Sequence, residues 1–170
     1  MEINVHLVDG LLPDKYGKFA PANDIKNGKP VISFPIKLSN IPASTKSLAF
    51  TFTDPDSIPV CGFEWIHWTA ANISPEQLDI PEDFSRSAGS SVVQGKNSSA
   101  SPLLGDNDED LKVGYNGPNP PDQTHDYVLK VYALSDTLDI KEGFWMNELL
   151  HKIEGKVLDS AQITLPSRAN

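Results

Sequence analysis

Apolar and polar positions alternate with period two over several short stretches of the chain. Ile32, Phe34, Ile36 and Leu38 fall on one face of an expected strand, which Pro35 assigns to a sheet edge or a bulge. Leu48, Phe50 and Phe52 do the same within SLAFTFT, predicting a strand over 47–53. Residues 63–71, FEWIHWTAA, and 127–134, YVLKVYAL, are apolar on both faces, as strands in the interior of a packed β structure are. A 3.6-residue period occurs once with conviction. Met146, Leu149, Leu150 and Ile153 stand at i, i+3, i+4 and i+7, with Gly155 as a stop. A short helical turn is also expected at Pro75–Leu78. Alternation returns in Ala161, Ile163 and Leu165, predicting a final strand.

Between these elements, residues 85–112 are rich in Ser, Gly, Asn and Asp, a long loop for a compact domain. The run DNDED at 106–110 invites a calcium reading. A calcium-hand loop starting at Asp106 needs Gly at its sixth position and Glu at its twelfth, and meets Leu111 and Gly117. A solvated acidic turn is the reading that survives. Fourteen prolines keep helices short, and no repeat or linker divides the 170 residues, so one domain over 1–170 is expected.

Composition narrows the function classes. The net charge of −9 argues against nucleic acid, which demands clustered Lys and Arg. No apolar run reaches the roughly 20 residues of a membrane span, and no basic amphipathic helix offers a hold on an anionic bilayer. MEINVHLVDG shows no basic segment leading into an apolar core, so a cytoplasmic protein is expected. Cys61 is the single cysteine, read as a small buried hydrophobe rather than a nucleophile.

Candidate chemistry gathers at strand ends. Asp54 and Asp56 follow the strand 47–53, while His125 and Tyr127 open the strand at 127–134. In an antiparallel pairing these ends coincide. His67, inside WIHW, supplies a third polar group. The segment GYNGPNPP before His125 fixes its backbone with three prolines and loses little entropy on ordering, so it is expected to form a rigid wall beside a polar pocket. Neighbouring carboxylate is expected to raise the pKa of both histidines.

The blocks DPDSIP, GFEWIHWTAANI and GYNGPNPPDQTHDYVLKVYAL, with QGKNSSASP between the last two, resemble the phosphatidylethanolamine-binding protein family, in its bacterial and archaeal Raf-kinase-inhibitor-like branch. The resemblance implies a mainly β fold: a two-sheet antiparallel sandwich with Greek-key connections and a few short peripheral helices, one near the C-terminus. It also implies a small pocket for phosphate, carboxylate or a phosphoethanolamine head group. Carried over by position, ligand-binding roles fall on Asp54, Asp56, His67, His125 and Tyr127, and the wall on Tyr115, Gly117, Pro118, Pro120 and Pro121. No cofactor or metal is implied. Implied partners are a small anion or phospholipid head group, or a kinase or protease, and a homodimer is compatible with the bacterial branch. The chain departs from the family at Asp126, where Arg is usual, at Asn119, and in the slightly longer Ser57-Ile58 step. A metal-assisted hydrolase built on Asp54, His67 and His125 stands as the rival reading; no metalloprotease or serine-hydrolase motif accompanies it.

Overall fold

The computed structural model describes residues 1–104 and 108–170. Ten strands are present among them: β1 (Glu2–Asn4), β2 (Ile25–Lys26), β3 (Lys29–Pro30), β4 (Ile36–Ser39), β5 (Ser47–Asp54), β6 (Trp65–Ile73), β7 (Asp79–Ile80), β8 (Val93–Gln94), β9 (His125–Leu134) and β10 (Val157–Ser167). The helices are α1 (Ile58–Cys61), α2 (Phe84–Ser87) and α3 (Met146–Ile153), with short 3-10 turns between elements. A five-stranded sheet runs β10-β9-β5-β6-β8, a three-stranded sheet runs β1-β4-β7, and β2-β3 is a separate hairpin; the pairings are antiparallel. β9 returns to lie beside β5 after the chain has passed through β6 and β8, which is a Greek-key connection.

Both faces of the large sheet are covered, and this is why its central strands are apolar throughout. Leu48, Phe50, Phe52, Trp68, Leu129 and Val131 join Phe34, Ile36 and Leu38 in one core between the sheets. On the opposite face, Ala49, Ala71, Tyr132 and Leu134 meet Phe144 and the Leu149–Ile153 stripe of α3. Burying each such Leu or Ile contributes about 2 kcal/mol. Gly155 takes a positive φ of 71° just past α3, ending the helix as its sequence requires.

Four expectations are corrected. Cys61 is exposed rather than buried, because the short α1 that ends on it buries none of its residues. The strand expected from Ile32 begins only at Ile36, after Pro35, although Ile32 and Phe34 are buried as their alternation implied; proline lacks the N–H a ladder needs. Residues 75–78 form a turn rather than a helix, too short a segment to repay helix nucleation. Residues 85–112 are not one loop. They hold the end of α2, β8, and two 3-10 turns at Ser98–Ala100 and Glu109–Leu111. Asp106 and Asn107, which open the expected acidic turn, lie outside the described residues. No described helix is long and apolar enough to cross a membrane.

Candidate functional site

Antiparallel pairing of β5 with β9 brings the end of one strand to the beginning of the other, with Thr53 opposite Val128. Asp54 closes β5 and is buried; its Oδ1 accepts from the backbone N–H of Ser57 at 3.1 Å and caps the turn at 55–57. His125 opens β9, fully covered, with Tyr127 two residues on along the same face and Asp126 turned to solvent. Asp56 does not line the cavity. It braces this junction by accepting from the Asp126 N–H at 2.8 Å.

His67 is the third residue of β6 and is tied twice to Asn116. Its Nδ1 lies 2.7 Å from the Asn116 carbonyl, and its own carbonyl accepts from the Asn116 N–H at 3.0 Å. A carbonyl only accepts, so Nδ1 carries the proton. Burial pushes the His67 pKa down to about 4, against weaker opposing pulls from the Asn116 carbonyl and Asp54. The expectation of a raised value fails here because a neutral carbonyl cannot offset the lost hydration of an imidazolium.

His125 follows the expectation, for a reason partly invisible in the sequence. Its Nδ1 lies 2.8 Å from Asp54 Oδ2, and its Nε2 lies 2.9 Å from Asp122 Oδ1. Burial lowers its pKa, but the two carboxylates together outweigh burial and the net shift is upward. The ring is covered yet shallow, lying just beneath exposed Asp122. Burial, followed by the charge of Asp54, pushes the Tyr127 phenol up. The Tyr127 hydroxyl has no hydrogen-bond partner; Asp54 and the Asn119 backbone are near enough to perturb it but not placed to bond.

The proline-rich segment is pinned from below. The Gly117 N–H donates to the Pro30 carbonyl at 2.8 Å, and Lys18 Nζ donates to the Pro120 carbonyl at 3.0 Å. A Cβ on Gly117 would stand 2.3 Å from the Tyr16 carbonyl oxygen, so only glycine allows this approach. Tyr115 points into the core, its hydroxyl donating to the Tyr16 carbonyl at 2.6 Å. Of the ten residues assigned to the pocket, the structure brings Asp54, His67, Gly117, Pro121, His125 and Tyr127 around one cavity of about 250 Å³. Tyr115, Pro118, Pro120 and Asp56 do not line that cavity.

Sequence reasoning missed several lining residues: Lys29, Ser57, Trp65, Ser99 and Asn116. Lys29 Nζ donates to Ser99 Oγ at 2.5 Å, and that hydroxyl donates on to Asn116 Oδ1 at 3.2 Å. A signal for Lys29 existed. Asn27 and Gly28 both have positive φ, the two-residue hairpin turn that an Asn-Gly pair favours, and this turn delivers Lys29. The cavity is therefore lined by the Lys29 side chain, a His125 ring that two carboxylates bias towards its charged form, a donor phenol, and Asp54 as an acceptor. The hydrogen bond joining Asp54 to His125 directs those two side chains at each other rather than at a shared ion, and no metal-holding group of His, Cys, Asp and Glu occurs among the described residues.

Comparisons with known proteins agree with this architecture. The family model described as phosphatidylethanolamine-binding protein matches residues 5–168. YxkA of Bacillus subtilis, an uncharacterised protein, is 46% identical over 157 residues, covering 92% of this chain and 94% of the relative. A UPF0098 protein of Chlamydia muridarum is 36% identical over 135 residues, 78% of this chain and 79% of the relative. Among solved structures, the phosphatidylethanolamine-binding protein homologue CT736 of Chlamydia trachomatis superposes with a TM-score of 0.74 at 29% identity, covering 94% of this chain and 90% of that one. YbcL of Escherichia coli superposes with a TM-score of 0.77 at 23% identity over 99% and 98% of the two chains, a likeness of fold.

Proposed function

Given that the chain belongs to the phosphatidylethanolamine-binding protein family, we propose that it is a non-enzymatic binding protein whose cavity takes a phosphate, a carboxylate or a phosphoethanolamine-type head group. The observation that carries this reading is the Tyr127 hydroxyl: fully buried, without a partner, and lining the cavity that Lys29 and cationic His125 also line. A buried hydroxyl left unpaired costs about 1–3 kcal/mol, and an incoming oxygen removes that cost. Asp54 gives the acidic side of the cavity a purpose, since it accepts from the ammonium of a zwitterionic ligand. Neutral His67, protonated on Nδ1, keeps Nε2 as a further acceptor.

Calorimetric titration with phosphate and with O-phosphoethanolamine at pH 6 tests the reading. Saturable heats are expected with both, stronger for the zwitterion, and lost in His125→Ala. Wild-type protein giving no heat with either ligand would end it; unchanged heats in His125→Ala would remove His125 from the site. Ile58 and Val60 are exposed on α1, and Val60 reaches the cavity mouth. That apolar edge favours a ligand borne on something larger, such as a phosphorylated or carboxylate-bearing side chain of a kinase or protease held in check. We place the protein in the cytoplasm; a single exposed, free thiol at Cys61 suits a reducing compartment.

A further inference from the structure

His125 is held between two carboxylates of different character. Asp54 is buried and also anchors the turn at Ser57, whereas the Asp122 side chain is about half exposed on the proline-rich segment. A neutral imidazole has one N–H, so with carboxylate oxygens at 2.8 and 2.9 Å on its two nitrogens it would aim a lone pair at one of them. Only the imidazolium satisfies both. Asp122 is delivered to Nε2 by Pro120 and Pro121, with the Pro120 carbonyl held in turn by Lys18. The stiff backbone before His125 thus aims a carboxylate at the ring from outside, while the cavity is walled from within.

We infer that Asp122 is a positioning residue that keeps His125 cationic and so sets the pH range over which the cavity admits an anion. This rests on the anion reading above. With Asp122 ionised, the ring's positive charge offsets buried Asp54 on the cavity side, while Asp122's own charge stays on the solvent side of the ring, where water screens it. Remove the Asp122 charge and a neutral His125 still satisfies Asp54 through Nδ1–H. Asp54 then stands uncompensated and repels the ligand. Other charged or titratable groups of the site are neutral His67 on β6, Tyr127 on β9, solvent-facing Asp126 beside it, Asp56 in the turn after β5, held by the Asp126 N–H, and, lining the same cavity, Cys61 on α1 and Lys29 on β3, which donates to Ser99. Lys18 is committed to the Pro120 and Ala169 carbonyls. None of these reaches Nε2, which leaves Asp122 as the group that decides the second proton.

The test uses the full chain and three proteins: wild type, Asp122→Asn and Asp122→Glu. The His125 ring is titrated by its imidazole NMR resonances, and inorganic phosphate binding is measured by calorimetry from pH 5.5 to 8. Asp122→Asn is expected to move the His125 midpoint to lower pH. It should weaken phosphate about threefold at pH 7.5, the size of a half-exposed charge pair, with affinity equal to or above wild type at pH 5.5, where the ring is charged in both and one carboxylate is gone; Asp122→Glu should restore both. An unmoved midpoint, or a loss of affinity equal at every pH, overturns the inference. A midpoint that moves in a protein binding no phosphate sinks the anion reading and leaves Asp122's control of the ring charge standing.

Discussion

His67 and His125 line one cavity and both pack against Tyr127, with ring centroids 5.1 and 6.2 Å away, yet their pKa values are pushed in opposite directions. His67 lies within β6, where the neighbour aligned with its ring is a neutral carbonyl on a pinned loop. His125 lies at a strand end, where a buried carboxylate from β5 and an exposed one from the preceding loop meet its two nitrogens. Burial acts in the same direction on both. The partner's capacity to carry charge decides the outcome. A cavity built this way sets a neutral acceptor beside a ring biased towards its charged form, the pairing on which the proposed zwitterionic ligand rests.

The comparison breaks most severely at Asp54. Asp54→Ala strips the buried ring of its inner carboxylate and the 55–57 turn of its cap, and should cost about 3–5 kcal/mol in urea unfolding, with the His125 midpoint falling towards that of His67. Next comes acid. An unfolded histidine takes its proton near pH 6.5, whereas His67 resists until about pH 4. Folded His67 therefore adds stability that is present above 6.5 and drains away as pH falls through that window, by on the order of 3 kcal/mol. His125 has the opposite sign: its contribution is present below the unfolded pKa and disappears as pH rises through its higher folded value. Stability measured against pH in His67→Gln should lose the acid slope and leave the shallower opposing one; an acid slope equal to wild type would show that His67 is not buried neutral.

Smaller effects sharpen the picture. Tyr127→Phe removes a hydroxyl without a partner, so the melting temperature should hold or rise slightly while phosphate affinity drops about tenfold. A fall in stability would mean the hydroxyl is bonded within the protein. Smallest is Asp126→Arg, on the solvent side of β9. Stability should change by less than about 0.5 kcal/mol, and phosphate association should quicken in a salt-dependent way as the rim loses negative charge.

Strand identity was legible wherever a side-chain period had a covered face to answer to. Phe50 and Phe52 announced β5, the two-sided runs announced β6 and β9, and Leu149 with Ile153 announced α3. The cluster of Asp54, His67, His125 and Tyr127 was legible because antiparallel pairing forces strand ends together. The charge of His67 was not, since burial sets it, and the Asn116 carbonyl that meets the ring is a backbone atom too weak to reverse it and leaves no mark in a residue pattern. Asp122 lies three residues before His125, but its contact with Nε2 depends on the direction in which two prolines aim it, which no residue pattern records. Lys29 and Ser99 belong to segments of two or three ordered residues, too brief for any period to show.

The order of strands in the large sheet has a consequence for how the molecule comes into being. Asp54 and His125 are 71 residues apart in the chain, and β5 must wait for β9 across the whole of β6, β8 and the loops between. Closing so long a span is slow relative to local hairpins, so β2-β3 can form early while the cavity is among the last features to assemble. A ligand held there meets only the finished molecule, and occupancy counts against global unfolding rather than against the opening of one loop.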